Sequence, residues 1–460
     1  MTPHPHHLLR LALAGAGDIE EWRLGDPARA AALGYPRRYP APVLDDRGIV
    51  FLDVVVEDGS GDLVCHEANG PNAVGSDALT GDSRLRAANE ADQAASRLAG
   101  LAEPAVTLHA HQHWRSFRTG GEFFPRVDDF AQALAARLPE RTVRLRGAHE
   151  ALGDEGIAVV FGDVPRVAAD LELDEGSGDF RYRGRPVAFL GNPNLATELA
   201  RLGRLPLRTG GLPLPARRAF HAWRLLDTLR DKGLQQDLLA GTGLRPLRWF
   251  EAWSREEALA KAREALASGP VVLKPNAASG GAGVHAVVAS MTDGEILARV
   301  DAVLADCAAK YGANAEATAY PVRGFEFVRS TGYPMASGGH LWDLRIAVQF
   351  EPGEALAYPV SLRLAPEPFE PDAFHRDRDQ WISNVSGRQV TLLKSGMDEA
   401  VLRAVGLAPG RLEAALEGCV RWTLKAWDAA ARGGGPGGGV FEDRAEAEDP
   451  GFYPREAFRP

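Results

Sequence analysis

Cysteine is nearly absent from this chain. Cys65, Cys307 and Cys419 are the only three in 460 residues, far apart, odd in number and without CxxC spacing. That pattern argues against a disulfide framework. Long apolar runs are missing too. No stretch of about 18 consecutive apolar residues occurs, so no membrane-spanning helix is expected. There is no basic excess: 52 Lys and Arg stand against 62 Asp and Glu, a net charge of −10. Phosphate-backbone binding needs clustered positive charge, so a nucleic-acid partner is not expected. The short apolar stretch near the N-terminus follows no strong basic region and runs at once into Asp18, Glu20 and Glu21. It reads as a short helix rather than a secretory signal, and a cytoplasmic protein is expected. No internal repeat is evident.

What is present is a globular composition, 45% hydrophobic and 25% charged. At this length two or three lobes are expected. Residues 8–33 read as helical pieces. GIVFLDVVVE, DGSG and DLVCHEAN then form strand, turn and strand, since an Asp-Gly turn between β-branched runs is a strong hairpin signal. An alanine-rich helix is expected over 83–100. Strands and helices alternate from 105 to 205 as in an α/β lobe, including AVTLHAH, TVRLRG, GIAVVFGD and the hairpin DFRYRGRPVAFLGN. Proline and glycine crowd 204–216, a boundary signal. Helices are expected over 217–240, 255–267, 294–310 and 411–431, and strands at PVVLKP, VHAVVA, FEFVRS, LRIAVQF and AYPVSLRLA. GGGPGGG (433–439) ends the last helix and opens a tail.

Three groups of residues carry chemistry. Lys274 closes an apolar strand in VVLKPNAASGGAGV. Ser279, Gly280, Gly281 and Gly283 follow in a loop whose amides can face an anion, with the lysine as a point charge. The order is not that of a P-loop, because the lysine precedes the glycines. A plain hairpin turn is the alternative. Arg345 and Arg363 sit in consecutive apolar strands, WDLRIAV and SLRLAP. A buried guanidinium there needs an anionic ligand or a carboxylate partner. Asp53 in FLDVVVE faces Glu67 across the hairpin, and Asn69 points to the same side as Glu67. Oxygen donors grouped in this way suit magnesium carrying nucleotide phosphates. An acidic edge hairpin is the alternative.

Other residues weigh less. His109, His111 and His113 share one strand face, a zinc or copper pattern, although a polar strand end fits an α/β lobe better. FHRDRDQW (374–381) reads as a loop at the mouth of the site or a solvated turn. The NVS sequon at 384–386 is set aside because nothing indicates secretion.

Taken together, these motifs resemble the ATP-grasp superfamily, especially ligases related to ribosomal-protein glutamate ligase and D-alanine–D-alanine ligase. The resemblance covers roughly 220–430 and 48–76. It implies an α/β fold, built of α+β lobes, with an α/β domain ahead of the ATP-grasp lobes. Lys232 in LRDKGLQQDLLAGTGL and Lys274 match the family's ATP-contacting lysines, and the glycine loop matches the one that covers the phosphates. Asp343 to Arg345, Arg363, and Asn384 to Gly387 follow in the family's order. Glu326 and Val328 in FEFV match the segment that meets adenosine, with EATAY (316–320) competing. Asn72, Ser76 and Asn384 fall where related ligases contact substrate.

One departure is large. The acidic strand and E-x-N motif that close the family's fold lie here at 53–69, near the N-terminus. A circular permutation is inferred, giving an N-terminal extension 1–47, a permuted closing segment 48–104, an α/β domain 105–215, nucleotide-binding lobes 216–432, and a glycine-rich linker and tail 433–460. The rival placement uses Glu442 and Asp443 as metal ligands.

The resemblance implies a C–N ligase that uses ATP and magnesium, with manganese as a substitute. It would join a small-molecule or peptide carboxylate to an amine through an acyl phosphate, in a protein that family analogy favours as a homodimer. Asp53, Glu67 and Asn69 would hold the metal, Lys232 and Lys274 the nucleotide, and Arg345 and Arg363 the transferring phosphoryl group and acyl phosphate. A phosphotransferase on the same fold, or a nucleotide-binding regulator without turnover, are the alternatives.

Overall fold

The structure is a computed structural model. It describes residues 32–44, 48–69, 231–275, 283–311, 321–331, 338–383 and 399–431, with shorter stretches between 95 and 190 and at 333–335 and 392–395. It is a mixed α/β protein with largely antiparallel sheets. The expected helices at 8–33 and 83–100, and the boundary at 204–216, lie outside the described residues or almost wholly so.

Three strands lie near the front of the chain: β1 (Arg37–Ala41), β2 (Gly48–Val56) and β3 (Leu63–Asn69). Six follow in the expected α/β region: β4 (Ala105–Ala110), β5 (Thr142–Gly147), β6 (Ile157–Phe161), β7 (Leu171–Leu173), β8 (Phe180–Tyr182) and β9 (Arg185–Leu190). They form a sheet of order β5-β4-β6-β9-β8-β7. Its first four strands pair in parallel and the last two join antiparallel, β8 and β9 forming the anticipated hairpin.

The next described region opens with a short helix, α1 (Lys232–Asp237), then β10 (Trp249–Ala252), α2 (Arg255–Leu266), β11 (Val271–Pro275), β12 (His285–Val287), α3 (Asp293–Tyr311) and β13 (Val322–Glu326). The helix expected to run to 240 ends at Asp237, and Gly241 and Gly243 just beyond adopt φ of 71° and 93°. Such angles suit glycine and end a helix. Ser254 caps α2 by accepting from the amide of Glu257, three residues on. The strand expected at FEFVRS lies three residues earlier, as VRGFE. Gly324 permits this placement: it lies opposite Phe250 of β10, and a Cβ there would collide with the Phe250 ring. The sheet order is β10-β13-β11-β12. α2 and α3 cover it through a core that includes Ala258, Ala262, Leu266, Ile296, Val300 and Val303.

The chain closes with β14 (Tyr333–Met335), β15 (Gly338–His340), β16 (Trp342–Glu351), β17 (Gly353–Leu364), β18 (Leu392–Ser395), α4 (Glu399–Ala404) and α5 (Pro409–Ala431). The main sheet runs β1-β17-β16-β2-β3, with β18 also paired to β17. The N-terminal hairpin therefore docks on β16, antiparallel and in direct register over Gly48–Val54. Alternation decides the two faces. Val50, Leu52, Val54, Leu344, Ile346, Val348, Leu362 and Leu364 bury against α5, whose Leu416, Trp422 and Trp427 complete the core. The residues between them, Asp53, Asp343, Arg345, Ser361 and Arg363, point to the opposite face.

Candidate functional site

The polar face is built by register. Ser361 lies opposite Arg345, Arg345 opposite Asp53, and Asp53 opposite Glu67, so β17, β16, β2 and β3 each contribute one residue to a single row. Two bulges fall on this row. Pairing slips after Asp53, leaving His66 as the extra residue of β3, and after Arg345, leaving Val360 as the extra residue of β17. Bulges re-aim neighbouring side chains, and here they fall where the polar residues gather.

Asp53 is fully buried. Arg345 donates to its two oxygens from Nε (2.8 Å) and Nη2 (2.9 Å). Arg363 reaches the same carboxylate at 2.9 Å, and its Nε donates to Asp343 at 2.6 Å. Asn69 Nδ2 donates to Asp53 Oδ2 at 3.0 Å, and the Ser383 hydroxyl donates to Asp343. Burial alone would raise the Asp53 pKa. The guanidiniums of Arg345 and Arg363 outweigh it and hold the carboxyl well below the usual range. The same acids push Arg363 further up against the opposing effect of burial. Both arginines thus have the carboxylate partners that a buried cation requires.

The two lysines come from α1, which packs on β3, and from β11 of the second sheet. Asp231 caps α1 by accepting from the amide of Leu234 at 2.8 Å, and Lys232, the first residue of the helix, ion-pairs with Glu67. Lys274 extends from β11 over the Phe325 ring, 5.3 Å from its centroid, and among the described residues forms no hydrogen bond or ion pair. Burial lowers its pKa to about 8, with Glu67 opposing and Lys232 adding to the fall. Glu67 is pulled down by Lys232 and Lys274 against the effect of burial. Lys274 and Glu67 lie within electrostatic reach of one another. His66 belongs to the same group: burial lowers its pKa, while Asp343 and Asp53 oppose that and Lys274 reinforces it. Glu67 and Lys274 keep part of their surface open while densely enclosed by protein atoms.

The charges of this group do not cancel. Lys232, Lys274, Arg345 and Arg363 oppose Asp53, Glu67 and Asp343, four cations against three carboxylates, with His66 held toward neutrality. An anionic ligand suits that balance. The partly open Glu67 carboxylate and the Asn69 amide oxygen are hard donors of the kind magnesium takes alongside phosphate oxygens, while both Asp53 oxygens already accept from Arg345, Arg363 or Asn69. Among the described residues no three His, Cys, Asp or Glu side chains gather as a self-sufficient metal cage.

The other expected residues are placed as follows. Gly283 has φ +66°, and a Cβ on it would lie 3.0 Å from the Val303 carbonyl oxygen and 3.1 Å from Pro275 Cδ, so glycine is required. It stands just before β12, which pairs antiparallel with β11, so the glycine segment does join a hairpin. The Glu326 carboxylate is held by Arg245 and by Arg248 Nε (2.7 Å). Val328 packs with Val55, Val64, Leu247 and Phe325 in a small cluster between the two lobes. Ser279, Gly280, Gly281, Asn72, Ser76, Asn384, His111, His113, Glu442 and Asp443 lie outside the described residues, as does the His109 side chain. In the 374–381 segment, Phe374 stacks on Phe327 with centroids 4.5 Å apart, and Arg299 of α3 donates to the His375 carbonyl at 3.1 Å.

Sequence reasoning missed two supports. Arg323 on β13, opposite Lys274, is almost fully buried and binds both Asp231 and Glu251, the latter at 2.9 Å. It carried the same signal as Arg345, a charge inside an apolar strand. Gln235 of α1, buried against β3, gave no signal, since glutamine is ordinary in a polar helix.

The fold and site thus define a mixed α/β protein with a buried charged row on one face of its main sheet, met at Glu67 by Lys232. No family model and no curated protein matches the chain. It is similar to a solved structure named "Putative gamma-glutamylcysteine synthetase" from Methylobacillus flagellatus KT, at 12% identity and a TM-score of 0.37, over 93% of this chain and 97% of that one. A likeness of that degree carries no argument about this chain. Among the described residues no helix is long and apolar enough to cross a membrane.

Proposed function

We propose that the chain is an ATP-dependent carboxylate–amine ligase of the ATP-grasp kind, with its closing hairpin carried at the front of the sequence. The observation behind this reading is the meeting of Glu67 with Lys232, 165 residues later in the chain, beside Lys274 and the Asp53–Arg345 pair. A carboxylate hairpin, two lysines and two arginines assembled from distant segments are what phosphoryl chemistry needs from a protein: positioning and charge neutralisation.

Lys274, with no hydrogen bond or ion pair among the described residues, meets nucleotide phosphates, and Lys232 joins it by turning from Glu67 toward the anion. Arg345 neutralises charge on the transferring phosphoryl group, and Arg363 holds the acyl phosphate or the substrate carboxylate. Asp53, Glu67 and Asn69 would supply oxygens to magnesium, Asp53 once Arg345 and Arg363 turn to phosphate, and the bound ion would screen the phosphates. The substrate carboxylate attacks the γ-phosphorus, the β–γ bridging oxygen leaves with ADP, and the amine then displaces phosphate to give the amide. The glycine segment after Lys274 covers the phosphates and limits loss of the acyl phosphate to water.

The test is ADP release from the full chain with panels of amino-acid and peptide carboxylates and amines, with mass spectrometry of the products. Release that needs both an acid and an amine supports the ligase. Release with a single acceptor points to a phosphotransferase, and binding without turnover to a regulator.

A further inference from the structure

We infer that Gln235 positions Glu67 and Asn69 by closing the open edge of β3 at Ala68, the residue between them. This rests on the reading of those two side chains as cation ligands. β3 ends the main sheet, and among the described residues the far side of its backbone meets no strand, only a single bridge from Val64 to Arg245, whose amide donates to the Leu63 carbonyl at 2.7 Å. Outward-facing amides and carbonyls on such an edge need partners when buried. The Gln235 side chain supplies both for one residue: Nε2 donates to the Ala68 carbonyl at 3.0 Å, and Oε1 accepts from the Ala68 amide at 3.0 Å. Only a carboxamide carries a donor and an acceptor side by side for this ring.

The grip is itself anchored. Gln235 is 2% exposed, and its carbonyl accepts from Trp422 Nε1 at 2.9 Å. Gln236 makes a second hold, donating to the Cys65 carbonyl at 3.3 Å while accepting from the Leu247 amide at 2.8 Å. Helix α1 therefore fixes β3 at 65 and at 68, on either side of the bulge that aims Glu67. The same helix begins with Lys232, which pairs with Glu67. An edge left open would let β3 shift along or away from β2, and a shift of one residue turns Glu67 to the opposite face.

The experiment separates positioning from bulk stability. ADP affinity of the full chain is measured by calorimetry with Mn²⁺ and again with EDTA, and the ratio is the metal-dependent gain. Gln235→Leu keeps the volume but removes both bonds. Its gain should fall by roughly 10- to 100-fold, as for other residues that orient metal ligands, with affinity in EDTA unchanged. Gln235→Glu, which keeps the acceptor but opposes the Ala68 carbonyl, should lose the gain similarly and carries the test if the leucine variant does not fold. In a Glu67→Gln background neither change should cost more. A folded Gln235→Leu protein with the wild-type gain overturns the inference. Wild-type protein that binds ADP equally with Mn²⁺ and with EDTA would instead defeat the reading of the hairpin as a metal site, and this inference with it.

Discussion

Asp53 and Arg345, 292 residues apart in the chain, lie directly opposite one another on adjacent strands, joined by two hydrogen bonds. That pair brings the front of the chain into the centre of the main sheet. It also explains why a carboxylate can be fully buried there, since two guanidiniums surround it. The carboxylates and cations converge because the hairpin is one element of the same sheet.

Glu67→Gln removes a carboxylate without removing volume. ADP release in the coupled assay should fall by at least about 100-fold, because an amide is a poor partner for both Lys232 and a hard cation. Circular dichroism and thermal unfolding should remain near wild type, since Glu67 keeps a side-chain exposure of 31%. Near-normal turnover would move the metal site, with Glu442 the first place to look.

Arg323→Met should destabilise the protein by about 3–5 kcal/mol in urea unfolding, because two enclosed carboxylates, Asp231 and Glu251, lose their cation. Asp231→Asn should cost less. Asparagine still caps α1 and leaves Arg323 paired with Glu251. If Arg323→Met unfolded at the wild-type midpoint, the pair would have no structural weight.

Gly283→Ala should lower stability by about 1–3 kcal/mol, since φ +66° and contacts of 3.0–3.2 Å with Val303, Pro275 and Cys307 leave no place for a methyl group. A thermal scan reads this directly. An unchanged melting temperature would mean that the turn relaxes freely.

Lys274 predicts opposite pH trends for binding and for stability. Its pKa is lowered from 10.5 to about 8, so its charge fades as pH rises through 8, and nucleotide affinity should weaken there. Between about pH 8 and 10.5 the unfolded chain holds more protons at this site than the folded one, so its contribution to stability rises with pH across that window. Equilibrium ADP binding from pH 6.5 to 10 checks the first trend. Lys274→Arg, charged throughout, should flatten it. A flat wild-type profile would place Lys274 away from the phosphates.

The sequence by itself determined the local pieces: the hairpin around DGSG, the strands of VVLKP, LRIAVQF and AYPVSLRLA, and the helices 255–267, 294–310 and 411–431. Turn chemistry and hydrophobic period are local properties, so they mark these pieces without knowledge of their neighbours. The same alternation put Asp53, Arg345 and Arg363 on polar strand faces. Only the tertiary structure decided that Arg345 faces Asp53, that Lys232 reaches Glu67, and that Arg323 and Gln235 stand behind them. Those contacts depend on which strands become neighbours and on two bulges, and the burial of apolar faces against α5 and between the lobes selects that pairing over the whole chain at once.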